Sequence, residues 1–370
     1  MRIALVHDWL TGMRGGERCL EVLCELFPGA PLYTLVHERG CVSPVIEDRR
    51  IHTSLLQRSE FLKKRYRHCL PVLPSLMESF DFSGFDLVIS SSHCVAKLAR
   101  PAPGARHWCY IYTPMRYVWD LFGEYFGPRS HPLVRLAAHA MAPYLRSKDR
   151  SASSRVGQFV AISEFVAARV RRHYGRDAQV IYPPVSLERF QPAPSAEIGD
   201  WDLVVSAFAP YKGIELAIEA ANRSGRRLKI IGSGQEEARL RSMARPHVEF
   251  LGSLDDAQVA WHMARCRSFI FPGVEDFGIT PLEAQASGRP VVALGQGGAL
   301  ETIEEGRGGV FFREPTVESL LEALKRCDQT PWDPRHVSGS VMRFGRQRFK
   351  EEIRSSIEAY CPGALTRPPT

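Results

Sequence analysis

The sequence predicts an α/β protein made of two successive doubly wound parallel-sheet domains. Three observations point there. Short runs rich in β-branched and aromatic residues recur along the chain, with helical spacing between them. Such alternation builds parallel sheets, whose strands are covered on both faces and therefore read as continuous apolar runs. A proline-rich break follows Tyr182, the alternation then restarts, and a chain of 370 residues suits two domains of roughly 150 residues each.

Residues 3–6 form the first predicted strand. Residues 16–27 follow as a helix, with Leu20, Leu23, Cys24 and Phe27 on one side. Segments 32–36, 87–90, 109–112, 159–162 and 180–182 are further strands, too short for helices. Pro183-Pro184 and the stretch 191–199 can extend neither a helix nor a central strand, so they are assigned to an interdomain linker. Beyond it come strands at 203–206, 228–231, 248–251, 269–271, 290–293 and 310–312, with helices at 214–222, 256–265 and 281–286. The expected domains are 1–185 and 186–340. The segment 341–370 is expected to pack back on the N-terminal domain through an amphipathic helix at 341–360, whose apolar side is Met342, Phe344, Phe349, Ile353 and Ile357.

No apolar run approaches the ~20 residues of a membrane span, and Asp8 comes too early for a signal peptide. The nine cysteines include no Cys-x-x-Cys pair, which suits a reducing cytoplasm rather than a disulfide framework or a zinc site. Charge is uneven. Through Pro183 there are 25 Lys and Arg against 16 Asp and Glu, whereas acids slightly exceed bases beyond it. The N-terminal half is thus expected to face something anionic: lipid, a phosphorylated acceptor or nucleic acid. Arg dominates throughout, with only eight Lys among the 48 basic residues, so part of this bias is compositional.

In open α/β sheets ligands bind beyond the carboxyl ends of the strands, and each of the following motifs sits just after a predicted strand. In Glu275-Asp276-Phe277-Gly278-Ile279-Thr280-Pro281-Leu282-Glu283, a glycine allows close backbone approach and a proline suits a first helical turn. The amides at such a helix start can hold phosphate or sugar hydroxyls. Taken singly, Glu283 could merely offset the helix dipole and Glu275 could be a solvated loop residue. Ser206–Gly213 is a strand end and tight loop in which Lys212 can reach a diphosphate, or simply lie on the surface. Gly12-Met13-Arg14-Gly15-Gly16-Glu17 is a glycine-rich helix start that favours anions; a plain turn is the competing explanation. In the segment 112–120, Arg116, Tyr117, Trp119 and Asp120 fit a sugar-binding wall or, equally, a packed aromatic loop. Gly232-Ser233-Gly234, Gly252-Ser253 and Gly297-Gly298 are weaker signals of the same kind. Residues 55–70 mix apolar and basic side chains suited to anionic lipid or to a solvated helix face. The Asp200-Trp201-Asp202 triplet precedes a strand, where a metal–nucleotide site is not expected.

With these residues in place, the chain resembles glycosyltransferase family 4, retaining enzymes of the GT-B fold, in which two Rossmann-like doubly wound parallel-sheet domains face each other across a cleft. The resemblance runs over nearly the whole chain. It rests on His7-Asp8-Trp9-Leu10, Thr113-Pro114-Met115-Arg116-Tyr117, Ile162-Ser163-Glu164, Tyr182-Pro183-Pro184-Val185, Pro210-Tyr211-Lys212 and the Glu-x7-Glu pair Glu275 and Glu283. The His-Asp-Trp and Thr-Pro-Met-Arg-Tyr elements are similar to a bacterial surface-polysaccharide subgroup that often uses mannose or rhamnose from GDP-sugars. The resemblance implies that Glu283 binds donor ribose and that Glu275 contacts the transferred sugar. It places the Phe277, Gly278, Ile279 and Thr280 segment at the sugar and phosphates, Lys212 on the diphosphate, and Gly15 and Gly16 near it from the other domain. It requires no metal and no cofactor beyond the nucleotide-sugar. It also implies a lipid-linked or oligosaccharide acceptor, as in lipopolysaccharide synthesis. The arginine content would permit a nucleic-acid binder, but no known nucleic-acid motif occurs and no such partner is expected. The expected location is cytoplasmic, with peripheral contact at the inner face of the membrane.

Two positions depart from the family pattern. Ala207 stands where an arginine commonly joins the loop lysine, and Tyr112 stands where a histidine often precedes the Thr-Pro. Tyr112, His7 and His93 are the candidates to replace that histidine, and Arg116 is a candidate for additional charge on the phosphates. A nucleotide-sugar epimerase of the same fold and a non-catalytic nucleotide- or sugar-binding protein are the alternative functions.

Overall fold

The first strand, β1 (Ile3–His7), is buried at every residue, as an Ile-Ala-Leu-Val run between two neighbours must be. In the computed structural model, which describes residues 1–127 and 130–365, β1 is central in a parallel sheet. The other strands of this sheet are β2 (Leu32–Thr34), β3 (Ile51–Thr53), β4 (Leu87–Ser92), β5 (Arg106–Ile111), β6 (Gln158–Ala161) and β7 (Ala178–Val180). The order is β3-β2-β1-β4-β5-β6-β7, with Leu5 level with Leu32 on one side and Ile89 on the other. The chain thus winds outward one way from β1 and the other way from β4, so their carboxyl ends flank the switch point where such sheets bind ligands.

The second sheet repeats the plan with β8 (Trp201–Val205), β9 (Arg227–Ile231), β10 (Val248–Gly252), β11 (Phe269–Phe271), β12 (Val291–Leu294) and β13 (Gly309–Phe312). Its order is β10-β9-β8-β11-β12-β13, with the switch point between β8 and β11. Leu203 pairs with Phe269 there. The chain divides by its contacts into two units, Met1–Pro184 with the segment from Gln347 onward, and Val185–Arg346. Each has its own apolar core, the first including Val6, Leu35, Met77, Val88 and Met115, the second Val204, Ile218, Ile230, Leu294, Phe312 and Leu320.

Helix boundaries follow local chemistry. In the helix Glu164–Tyr174, the Ser163 hydroxyl accepts the Val166 N–H at 3.0 Å, and Gly175 ends the helix at φ 64°. The expected helix over 341–360 is broken: Met342–Phe344 is a single 3-10 turn and the regular helix is Arg346–Tyr360. Gly345, at φ −65° and ψ 157°, is extended and cannot carry a helix through. Phe344 is buried beside Phe277 in the second unit. The helix after Gly345 lies on the first unit, where Ser356 accepts from Trp108 Nε1 at 3.2 Å and Lys350 pairs with Glu25 at 2.9 Å. The last five residues of the 341–370 expectation lie outside the described residues. The proline-rich stretch is also not a free tether. Phe190 is buried, Arg189 pairs with Asp256 and Glu197 with Arg265, all within the second unit.

Inside the first sheet His107 is almost wholly buried, its Nε2 2.8 Å from Ser90 Oγ. Burial, aided by the Arg155 charge, pushes its pKa down to about 3, against about 6.5 in an unfolded chain. A folded value below the unfolded one gives stability that is complete above about pH 6.5 and is lost as the pH falls toward 3. His107→Gln is expected to flatten the stability profile. The wild type should lose about 3 kcal/mol between about pH 7 and 4 that the variant keeps, measured by urea unfolding.

Candidate functional site

In the second unit, the loop after β8 tightens into a 3-10 turn, Pro210–Lys212, and the loop after β11 runs from Pro272 to Gly278. Because β8 and β11 are neighbours at the switch point, their loops meet. Lys212 Nζ lies 2.5 Å from Glu275 Oε1, with side chains 13% and 25% exposed. The ammonium also sits 5.2 Å from the Tyr211 ring centroid. Two residues separated by 63 positions in sequence thus form one ion pair, and both remain reachable.

Backbone packing holds this pair in place. A Cβ on Gly273 would come within 2.7 Å of the Lys212 carbonyl oxygen, and one on Gly298 within 2.3 Å of Phe277 Cα. The Gly298 N–H donates to the Glu275 carbonyl at 2.9 Å. The Glu275 loop is therefore clamped between the loops after β8 and β12, at distances only glycine tolerates. Gly278, at φ 90°, turns the chain into the helix Ile279–Ala286. That helix begins two residues before the expected start, so Pro281 is its third residue, still among the positions whose N–H has no intrahelical partner. Ile279, Thr280 and Glu283 are partly exposed, while Phe277 is buried as a wedge under the loop. The segment expected to hold the donor is thus brought together around one helix start. Ala207 is exposed and contributes no charge. Asp202 of the Asp-x-Asp triplet is buried with Arg226 at 2.7 Å and Arg267 at 3.1 Å, a structural network that leaves it no ligand role.

In the first unit, the ends of β1, β4 and β5 carry a second constellation. Asp8 is fully buried, and its carboxylate accepts the backbone N–H groups of His93, Cys94, Val95 and Ala96 at 2.5–3.1 Å. Asp8 Oδ2 also lies 3.0 Å from His93 Nδ1. Burial acts to raise the Asp8 pKa, but the His93 and His7 rings and these amides hold it well below the usual carboxylate range. A carboxylate on Nδ1 orients the imidazole and leaves the Nε2 lone pair for other work in the neutral ring. The His93 side chain is 25% exposed and meets Trp9 edge-on at 4.5 Å.

His7 and Tyr112 face inward instead. His7 is fully buried, with Nδ1 3.1 Å from Ser91 Oγ and Nε2 3.6 Å from Glu17. Tyr112 is 8% exposed, its hydroxyl 2.7 Å from Ser91 Oγ and donating to the Gly16 carbonyl at 2.9 Å. Burial holds its pKa well above the ordinary tyrosine value. Tyr112 therefore positions the Gly15-Gly16 helix start rather than presenting its hydroxyl. The helix Gly15–Leu26 starts and ends one residue before the expected 16–27, with the Arg14 N–H donating to Glu17 Oε2 at 3.0 Å. Of the three candidates for the missing histidine, only His93 combines a fixed ring with solvent access.

The expected sugar wall is not one surface. Trp119 Nε1 donates to the buried Asp149 at 2.7 Å, and its ring stacks on His173 at 4.6 Å. Asp120 pairs with His173 at 3.1 Å and Arg169 at 3.4 Å. Both side chains tie the loop to the helices behind it, which is the packed-loop alternative. Tyr117 packs edge-on against Tyr125 at 4.9 Å, and Arg116 is half-buried beside it. No helix among the described residues is long and apolar enough to cross a membrane.

Residues 201–336 match the family model described as Glycosyl transferases group 1, and residues 15–189 the one described as Glycosyltransferase Family 4. The chain is 30% identical over 174 residues to the O-antigen chain mannosyltransferase C of Escherichia coli, covering 44% of this chain and 46% of that protein. It is 29% identical over 215 residues to the GDP-mannose-dependent alpha-(1-6)-phosphatidylinositol monomannoside mannosyltransferase of Mycobacterium tuberculosis, covering 50% and 56% respectively. The chain spans about half the length of the curated relatives it matches. Among solved structures, HepE of Anabaena in complex with UDP aligns with a TM-score of 0.70 at 17% identity, over 97% of this chain and 100% of that one. WaaG, a glycosyltransferase involved in lipopolysaccharide biosynthesis, aligns with a TM-score of 0.68 at 17% identity, over 98% and 100%. These likenesses, with the two parallel sheets, identify the fold as GT-B. The two family models together run from residue 15 to residue 336 with a single short interruption, and the chain belongs to the family 4 glycosyltransferases.

Proposed function

We propose that the protein transfers a hexose from a nucleotide-sugar to a lipid-linked or oligosaccharide acceptor in surface-polysaccharide or glycolipid synthesis, with retained anomeric configuration. The observation that carries this is the Lys212–Glu275 pair at the switch point of the second sheet, beside a partly exposed helix start. A diphosphate displaces Glu275 from Lys212 and takes the ammonium as its counter-charge, which frees the Glu275 carboxylate to accept hydroxyls of the transferred sugar. The amides of Gly278 and Ile279 face phosphate and sugar oxygens, and Glu283 holds the ribose. Among donors, GDP-mannose is favoured because the names of the relatives at 29–30% identity specify mannosyl transfer and, in one case, GDP-mannose. In the reaction the anomeric carbon–phosphate oxygen bond breaks and a bond to the acceptor oxygen forms on the same face, with the acceptor proton passing to the departing phosphate. Fixed charges and positioning supply the rate, without a metal ion. Within the first unit, the Gly15-Gly16 helix start offers amides to an anion, and His93, held by Asp8, offers its Nε2 to a sugar hydroxyl.

The test is to incubate the purified protein with GDP-, UDP-, ADP- and dTDP-sugars, with and without mannose-containing acceptors, and to follow nucleoside diphosphate release and the anomeric configuration of the product by NMR. Acceptor-dependent release with retained configuration is expected, unaffected by chelator. Donor turnover without acceptor would instead identify an epimerase. Nucleotide binding in calorimetry with no release from any donor would identify a binding protein.

A further inference from the structure

Between Val274 and Thr280, the stretch that carries Glu275 and the start of the helix Ile279–Ala286, one side chain is buried, that of Phe277. At 3% exposure it is the anchor by which this loop hangs on the protein. What its ring packs against therefore governs where the Glu275 carboxylate and the Gly278 amide stand. That ring meets Phe344, with centroids 5.8 Å apart and planes at 66°, the edge-to-face arrangement aromatic pairs prefer.

Phe344 belongs to the last stretch of the second unit, which ends at Arg346. Between Met342 and Arg346 it too is the one buried side chain, wholly out of water. Neither ring is part of the core cluster built around Val204, Ile230 and Phe312, so the pair is not packing of the sheet itself. Phe344 is fixed from behind: its carbonyl accepts the Val185 N–H at 2.9 Å, and its N–H donates to the Val341 carbonyl at 2.9 Å. The neighbouring Arg343 lays its guanidinium 4.8 Å from the Phe344 ring centroid and donates from Nη2 to the Glu301 carbonyl at 3.2 Å. Glu301 lies in the helix Ala299–Thr302, just after Gly298, whose N–H holds the Glu275 carbonyl. The turn Met342–Phe344 thus reaches both loops that frame Glu275, one through a ring and the other through a guanidinium. It lies beyond residue 336, where the match to the group 1 model ends.

We propose that Phe344 is a positioning residue for the donor site. It fixes Phe277, and through that ring the Glu275 carboxylate and the amides of Gly278 and Ile279, with Arg343 as its brace. A smaller side chain at 344 gives Phe277 room to tilt, and a shift of about 1 Å at a reacting sugar removes most of the rate. The transferase reading supplies what the loop does; whether Phe344 holds the loop is independent of it.

The first measurement is hydrogen exchange of the ligand-free, full-length protein, followed by mass spectrometry. Phe344→Leu is expected to speed exchange in peptides covering 274–280 about ten-fold, and Arg343→Ala, at an exposed position, about three-fold. Ile218→Val, in the core of the same unit, should leave those peptides at the wild-type rate. In the second measurement, Phe344→Leu should lower kcat for sugar transfer about ten-fold or more while donor KM changes about two-fold at most. Ile218→Val should keep the wild-type kcat. Adding Phe277→Leu to Phe344→Leu should remove little more, because the two rings act as a unit. Wild-type exchange over 274–280 in both Phe344→Leu and Arg343→Ala overturns the proposal. So does faster exchange with an unchanged kcat, or an equal loss of kcat in Ile218→Val, which would make the effect one of stability alone. Failure of the wild type to transfer sugar from any donor would instead sink the transferase reading, and the exchange comparison would still decide whether Phe344 holds the loop.

Discussion

Lys212→Ala is expected to lower kcat/KM for sugar transfer by about a thousand-fold, roughly 4 kcal/mol of transition-state stabilisation. The expectation follows from the absence of an arginine at position 207, where Ala207 is exposed and uncharged. On the proposed function, Lys212 is the charge that this loop of the second unit offers a departing diphosphate. Glu275→Ala is expected to lower kcat comparably while leaving nucleoside diphosphate affinity equal or higher, because it removes the competitor for the lysine at 2.5 Å. The contrast separates the two roles: calorimetry with nucleoside diphosphate should show weaker binding in Lys212→Ala alone. The double variant should lose much less than the sum of the single losses, since the groups act as a unit. Near-wild-type rates in both single variants would remove the site from this place in the fold.

Lys97→Ala is expected to destabilise the first unit by about 3–5 kcal/mol, the range for breaking a buried ion pair from one side. Lys97 and Asp149 are fully buried and 2.7 Å apart. The lysine also donates to the Cys94 carbonyl at 2.5 Å, and Asp149 accepts from Trp119 Nε1 at 2.7 Å and from the Tyr174 hydroxyl at 2.6 Å. Removing the ammonium leaves a carboxylate in the core with two neutral donors, too few for its charge. The loss should appear as a lower urea midpoint followed by near-ultraviolet circular dichroism. Lys97→Met combined with Asp149→Leu should recover much of it, because neither charge then remains. A midpoint within error of wild type for Lys97→Ala would show that the pair contributes nothing.

Much of this architecture is legible in the chain, for reasons specific to particular segments. β1, β4, β8 and β11 are short apolar runs because both their faces are covered, and their ends mark the loops that carry Lys212 and Glu275. Less is legible where packing is one-sided or absent. β3 is three half-buried residues at a sheet edge and lacks an apolar run. The long helix Pro132–Ser153 escapes a periodicity test because its first half has no buried side and its second half buries an aspartate in the stripe. The roles of Trp119 and Asp120 depend on His173 and Asp149, partners on other helices that no local pattern names. Asp8 and His93 are 85 positions apart and meet only because β1 and β4 pair in register, His7 level with Ser91. Both residues are named from the sequence, but not their pairing; the signal for it is an acidic residue directly after a buried strand, where an unpaired carboxylate is too costly to leave alone.

The glycine clamp around Glu275 has a consequence for affinity. Segments wedged this tightly against neighbouring main chain have little freedom left to surrender when a guest arrives, so most of the ordering cost of recognition has already been met during folding. The same tightness makes this corner unforgiving of change: one extra methyl at position 298 or 273 shifts the carboxylate and ammonium together, altering ligand preference long before it unravels the sheet beneath.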